Sequence, residues 1–321
     1  MDIETFRALP TSEVARLVRE AGPKVCVFPI NGTRRWYLLE HATDGREVSD
    51  AAQLGAAQLG AAYLDAIGQR HVALYRMLFD HGLDTVLSPV FGPDLLERGD
   101  DYAEMALAGL ARLAQHPDFT DFYEAYRVRV RFYGDYAKHL DGTRFAYLTR
   151  LFDKAATRTE AHDRFRLFFG VFAHDATETI AALTVRYYTE HGAIPDKRAL
   201  LALYYGEYVS PVDLFIGFDR FCAFDMPLVA TGDEDLYFTV SPSLYLTEAQ
   251  LRDILYDHLY LRHKDMADYT GVDSADWSAM RAFYHANIGR TLGVGARQPR
   301  GDFWYPTPQV RLVDGFAHPD E

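Results

Sequence analysis

Residues 24–36 read KVCVFPINGTRRW, an apolar strand-like run that breaks into an Asn-Gly turn followed at once by two arginines. Val, Cys, Val and Phe in succession suit a buried strand. Asn31 and Gly32 suit a sharp turn whose backbone N–H groups can face an anion, and glycine allows a phosphate to come close. Arg34 and Arg35 then supply two planar forks for bidentate contact with phosphate oxygens, which makes a diphosphate the economical ligand. The plainer alternative is a surface turn with two solvated arginines and a packed Trp36. This segment alone leaves both open.

Working outward, strand-like runs recur at 84–91 (DTVLSPVF), 127–134 (RVRVRFYG), 164–172 (RFRLFFGVF), 212–218 (VDLFIGF) and 235–240 (DLYFTV). Segments of helical period lie between them, among them 63–82, 102–115, 175–192 and 247–263. That alternation predicts an α/β fold with a mostly parallel sheet covered by helices on both faces. Ligands of such sheets sit beyond the carboxyl ends of the strands, where NGTRRW falls.

The 321-residue chain, 49% hydrophobic and 25% charged, has the composition of a soluble globular protein with a sizeable core. Its net charge of -13 argues against nucleic acid and anionic membranes as partners, because the summed field repels polyphosphate. Two cysteines, Cys26 and Cys222, make no disulfide framework or metal motif and suggest a reducing cytoplasm. The amino-terminal stretch lacks a signal-peptide apolar run, and no segment approaches the roughly 20 apolar residues of a membrane span. The pentapeptide AAQLG occurs twice, at 51–55 and 56–60, and suits either an Ala-rich helix start or loop, or a small-residue wall beside a bulky ligand. Residues 1–305 are expected to form a single catalytic domain, with a tail at 306–321.

The turn resembles the first motif of the cis-prenyltransferases, an Asp-Gly-Asn-Gly-Arg-Trp run, and is more similar still to the Asp-Gly-Thr-Arg-Arg-Trp of their diterpene-processing tuberculosinol synthase and tuberculosinyl adenosine transferase branch. Ordered matches follow at 77–91 (MLFDHGLDTVLSPVF), 94–100, 132–136, 169–178 (FGVFAHDATE), 204–209, 213–221 (DLFIGFDRF), 236–248 (LYFTVSPSLYLTE) and 254–263. The resemblance implies the cis-prenyltransferase fold, a central mostly parallel sheet flanked by helices with a hydrophobic tunnel, and a homodimer. It also implies an allylic prenyl diphosphate as substrate, a bicyclic twenty-carbon one in this branch. Water capture would give a diterpene alcohol, and adenosine or another small acceptor would give an adduct.

Departures from the pattern carry much of the functional information. Asn31 stands where the family has an Asp that holds Mg²⁺ against the diphosphate, while Asp235 occupies the place of the family's second carboxylate. Hard divalent cations favour anionic oxygens, so magnesium use is expected to be weakened. Gly217 replaces an arginine that holds isopentenyl diphosphate in elongating relatives, leaving Arg220. The second diphosphate site is therefore expected to be lost, and chain elongation with it.

Arg34, Arg35 and the Gly32 backbone are candidates to stabilise the departing diphosphate, with Thr33 and Trp36 beside them. Tyr63 matches a tyrosine implicated in catalysis in the tuberculosinol branch. A phenol, with an ordinary pKa of about 10, is suited to orienting water or accepting a late proton; the alternative is a structural cap of the AAQLG segment. Phe132 and Tyr133 are candidate tunnel-lining residues, although an aromatic strand end is more often core. Arg290 resembles the arginine that reaches a partner's diphosphate across the family's dimer. Asp175 suits a helix cap, and His258 and His263, five apart, suit structural roles. The rival from another class is a non-catalytic partner subunit, favoured by Asn31 and Gly217 and opposed by Arg34, Arg35 and Trp36.

Overall fold

The computed structural model describes residues 1–22, 24–41, 60–92, 99–262, 270–298 and 303–306. The chain divides into two compact units, Met1–Arg262 and His263–Glu321. The single domain expected over 1–305 thus spans this boundary, and its tail lies, beyond Pro306, outside the described residues. Residues 42–59, which hold the first AAQLG and most of the second, are outside them too.

In the first unit the order is α1 (Ile3–Ala8), α2 (Thr11–Glu20), β1 (Val25–Val27), α3 (Thr33–His41), α4 (Gly60–Asp80), β2 (Thr85–Phe91), α5 (Asp100–Gln115) and α6 (Pro117–Tyr126). Then come β3 (Val128–Tyr133), α7 (Tyr136–Leu140), α8 (Tyr147–Arg158), β4 (Phe165–Val171), α9 (Thr177–His191), α10 (Lys197–Tyr205), β5 (Leu214–Phe218) and β6 (Asp235–Thr239). A 3₁₀ turn (Ser243–Tyr245), α11 (Glu248–Tyr256) and a π turn (Asp257–Leu261) complete it. All six expected strands are present, in one sheet of order β3-β4-β2-β1-β5-β6 with every pair parallel.

Alternation of side chains sends Cys26, Phe28, Val86, Leu167 and Ile216 into a core on one face. Val25, Val27, Leu87, Phe168 and Phe215 enter a second core on the other face. A sheet covered on both sides has apolar residues at consecutive positions, which is why VCVF and FRLFF lack a polar face.

From β1 the chain passes first to β2 on one side and later to β5 on the other. That reversal opens a crevice at the carboxyl end of β1, and the Asn-Gly turn leaves the sheet there. In the second unit, α12 (Ser274–Asn287) starts on an Asp273 cap that accepts from the Ala275 and Asp276 N–H groups at 2.7 and 2.8 Å. β7 (Gly295–Gln298) pairs antiparallel with β8 (Phe303–Pro306).

Candidate active site

The NGTRRW segment is less of a loop than its composition suggests. Gly32 takes φ +75°, a left-handed conformation that favours glycine, and a Cβ there would meet Pro242 at 2.9 Å. Its carbonyl already accepts from the Trp36 N–H at 2.9 Å, so α3 begins at Thr33 and both arginines lie in its first turn. A first turn presents N–H groups without intrahelical acceptors and a partial positive charge, both suited to an anion. Arg35 is exposed, with its guanidinium 5.7 Å from the centre of the Phe218 ring; Arg34 and Trp36 are half-buried, and Trp36 packs on the first core.

A residue from far along the chain clamps this turn. Ser243, in the 3₁₀ turn after β6, is buried and donates from Oγ to the Pro29 carbonyl at 3.2 Å. The same Oγ accepts from the Asn31 N–H at 3.1 Å, and the Ser243 N–H donates to the Asn31 carbonyl at 3.1 Å. Arg70 of α4 ties that segment down in turn, donating to the Leu244 carbonyl at 2.7 Å and the Leu246 carbonyl at 3.2 Å.

Beside the turn an apolar cavity of about 120 Å³ opens between α4, α5 and α6 and the end of β2. Tyr63, Ile67 and His71 line it at a spacing of four, one face of α4. Facing them are Ala106, Gly109 and Leu110 of α5 and Phe119 of α6. Thr33 belongs both to the turn and to the cavity wall, and its hydroxyl is hydrogen-bonded to that of Tyr63 at 2.9 Å. Tyr63 is buried and lies between the first turn of α3 and the apolar cavity; residues 51–59 of the AAQLG segment, which the alternative reading has it cap, lie outside the described residues.

The other expected site residues go elsewhere. Asp235 opens β6 at the amino rim of the sheet, whereas Asn31 follows β1 at the carboxyl rim; in a parallel sheet these are opposite ends. Asp235 instead accepts from His258 Nδ1 at 2.6 Å and lies 3.6 Å from Arg262. Burial holds His258 below its ordinary pKa in spite of that carboxylate. The structural role expected for His258 fits this pairing, and His263 lies outside the described residues.

Phe132 and Tyr133 do not line this cavity. β3 is the edge strand, separated from β1 by β4 and β2. Phe132 stacks on Phe152 at 4.0 Å, and Tyr133, on the opposite face, donates to the Asp225 carbonyl at 2.8 Å. Arg290 is an exposed residue of the second unit. Asp175 accepts from the Thr177 N–H at 3.1 Å, as suits a helix start.

Gly217 is buried, and a Cβ there would come within 2.8 Å of Phe215 and 2.9 Å of Phe238. The two rings occupy the space an arginine stem would need. Arg220 is exposed. Among the described residues no three His, Cys, Asp or Glu side chains converge on a possible metal position. With a neutral Asn31 and a distant Asp235, this donor set does not fit a resident magnesium ion.

Ser243, His71 and Arg112 were not anticipated. His71 was within reach, since it repeats the Tyr63 face two turns on. Arg112, held by Asp65 and by His116 at 2.9 Å, and Ser243 carry no local signal.

No protein-family model matches the chain. It is 42% identical over 292 residues to tuberculosinyl adenosine transferase of Mycobacterium tuberculosis, covering 90% of this chain and 94% of that protein. It is 25% identical over 296 residues to (+)-kolavelool synthase of Herpetosiphon aurantiacus, covering 90% and 91%. Among solved structures, lavandulyl diphosphate synthase from Lavandula x intermedia, in complex with dimethylallyl diphosphate, is 14% identical at a TM-score of 0.57, covering 77% of this chain and 98% of that one. A probable undecaprenyl diphosphate synthase from Campylobacter jejuni is 16% identical at a TM-score of 0.50, covering 62% and 92%. Likeness at that level establishes the cis-prenyltransferase fold, with its parallel sheet and flanking helices. The ordered motifs and the identity across nearly the whole length agree: the chain belongs to the tuberculosinyl adenosine transferase family of enzymes, on the cis-prenyltransferase fold.

Proposed function

We propose that this enzyme ionises an allylic prenyl diphosphate, a bicyclic twenty-carbon one in our reading, and that water captures the cation to give a diterpene alcohol. One observation carries the proposal: the Thr33–Tyr63 hydrogen bond at 2.9 Å, which places the anion-suited end of α3 against the mouth of the apolar cavity.

Breaking the allylic C–O bond sends its electron pair to the diphosphate, and charge grows on the leaving oxygen. Arg34, Arg35 and the first-turn N–H groups of α3 are fixed dipoles and charges that meet that growth without reorganising. Gly32 lets the chain turn at positive φ with Pro242 packed where a side chain would stand. The hydrocarbon tail lies in the cavity, whose lining is mainly apolar. Tyr63 and Thr33 orient the water there, and the proton it sheds once the C–O bond of the product has formed passes through their hydroxyls to the released diphosphate. Because the donors at the turn do not fit a resident magnesium, no step is assigned to one. A magnesium response would reflect the ion's affinity for the diphosphate itself.

The second reading, transfer to adenosine, is favoured by the name of the 42% identical relative. Both reactions begin with the same ionisation and differ only in the nucleophile admitted at the mouth. The test is diphosphate release from a panel of linear and cyclised allylic diphosphates by the purified protein, with products identified with and without adenosine. An alcohol in both mixtures supports water capture. A nucleoside adduct supports transfer, and release from no substrate overturns the proposal. A homodimer and a cytoplasmic setting belong to the same reading, and the free thiols Cys26 and Cys222 agree with the second.

A further inference from the structure

Two features mark the apolar cavity as built for an occupant. Gly68 on α4 and Gly109 on α5 both line it from helix interiors, and neither has a positive φ that would demand glycine. A Cβ would meet the Phe119 side chain at 3.4 Å from Gly68 and the Leu64 side chain at 3.6 Å from Gly109, ordinary contacts that alanine satisfies. Glycine is a poor helix former, so what alanine would remove at these positions is room. The second feature is His71. It lines the same cavity with only 9% of its surface exposed, and neither ring nitrogen has a hydrogen-bonding partner among the described residues.

Burial pushes the imidazole down to about 4, so near neutral pH it carries one N–H and one bare nitrogen. Leaving these unmet in an apolar chamber is costly, and such orphaned groups point to a missing partner. His71 lies eight residues beyond Tyr63, about 12 Å along the helix axis, and so stands away from the leaving-group end. A lone water needs two to four polar partners. Of the other polar side chains on the wall, Thr33 and Tyr63 are bonded to each other and the Arg112 Nη2 to Asp65 and His116, while the buried Arg112 Nε, like His71, has no partner among the described residues.

We propose that the cavity accepts an allylic diphosphate whose wide, ring-bearing tail carries a hydroxyl, and that His71 is the specificity-determining residue that hydrogen-bonds it. This rests on the diphosphate site proposed above and names the substrate class more closely. A buried site built to bond a hydroxyl discriminates strongly against the analogue without one, because its own polar group is then left unpaired.

The test measures binding, so that a protein that binds but does not ionise its ligand counts against the proposed function and not against this inference. Two bicyclic twenty-carbon thiolodiphosphates, identical except for one hydroxyl at the far end of the ring system, are titrated into the full chain by calorimetry. Wild type is expected to bind the hydroxylated analogue at least tenfold more tightly. In His71→Leu that preference should fall to within about twofold, and His71→Asn, which keeps a donor and an acceptor, should retain part of it. Equal affinities in wild type would overturn the proposal and leave His71 to a bound water. An undiminished preference in a folded His71→Leu would overturn it too, and the wild-type comparison decides even if that variant fails to fold.

Discussion

The two ends of one parallel sheet carry similar inventories of polar groups and use them differently. At the amino rim, Asp235 takes the His258 N–H at 2.6 Å, Asp257 takes the Tyr237 hydroxyl at 2.6 Å, and Arg262 reaches Asp257 at 2.5 Å. Asp213 there accepts from the Val25 N–H at 2.8 Å, and Glu207 pairs with Arg129 at 3.0 Å. At the carboxyl rim, Ser243 spends its bonds on the backbone of the turn and thereby leaves the first helical turn directed outward, beside a cavity with an unmet imidazole. Charges that satisfy one another hold a fold together; donors fixed by the backbone but aimed at space are suited to chemistry.

Conservative substitutions at the two rims should separate these roles most sharply. Arg34→Lys and Arg35→Lys keep the charge but not the bidentate fork, and each should lower kcat for diphosphate release about 100-fold with little change in melting temperature. Asp235→Asn should do the reverse, lowering unfolding free energy by about 1–3 kcal/mol while leaving turnover per folded molecule near wild type. Steady-state kinetics paired with denaturant melts read both. Comparable activity losses at both rims would erase the distinction.

Much of the sheet was legible because β-branched and aromatic runs mark buried strands, and all six did so. The rim on which a residue sits was not. Asp235 reads as a strand residue, but only the pairing of Asp235 with Leu214, the first residue of β5, places it at the amino end. The arginine turn reads as a candidate anion site, yet its Asn-Gly start conceals that α3 begins at Thr33. The cavity was the least legible part. Its walls come from elements scattered between Ile30 and Phe119, and the serine that clamps its mouth lies 212 residues from Asn31. Whether Phe132 and Tyr133 face the tunnel or the core was open in the sequence, because an aromatic strand end looks the same on an edge strand as on the strand beside the crevice.

A smaller effect is expected from Gly217→Arg, the change that would restore the elongating relatives' residue. With Phe215 and Phe238 within 3 Å of the new Cβ, overpacking should cost about 1–3 kcal/mol. Mass spectrometry of wild-type mixtures containing isopentenyl diphosphate should show no product lengthened by five-carbon units. A lengthened product would mean that the carboxyl rim holds two diphosphates.

His71 contributes a pH dependence at the cavity end of the comparison. Its folded pKa, about 4, lies below the ordinary histidine value of 6.5, so the unfolded chain binds the extra proton first as pH falls. The stability associated with the neutral ring is complete above pH 6.5 and is lost progressively down to about 4. The loss amounts to about 3 kcal/mol. Urea melts of wild type should record a steeper decline over that window than melts of His71→Leu. Parallel declines would show that the imidazole is not held neutral.

The smallest change is expected at Asn31. Asn31→Asp adds a carboxylate to the turn and should raise turnover and its stimulation by magnesium several-fold; identical magnesium titrations would remove this position from the site.

Isotope tracing tests the central claim, ionisation at carbon by the arginine turn, most directly. A bicyclic twenty-carbon allylic diphosphate is turned over by wild type in ¹⁸O-labelled water without adenosine, and both products are weighed. The alcohol should carry the solvent oxygen and the released diphosphate should remain unlabelled and intact. An unlabelled alcohol with ¹⁸O in the phosphate product would mean that water attacks phosphorus, and would contradict a site organised around a departing diphosphate.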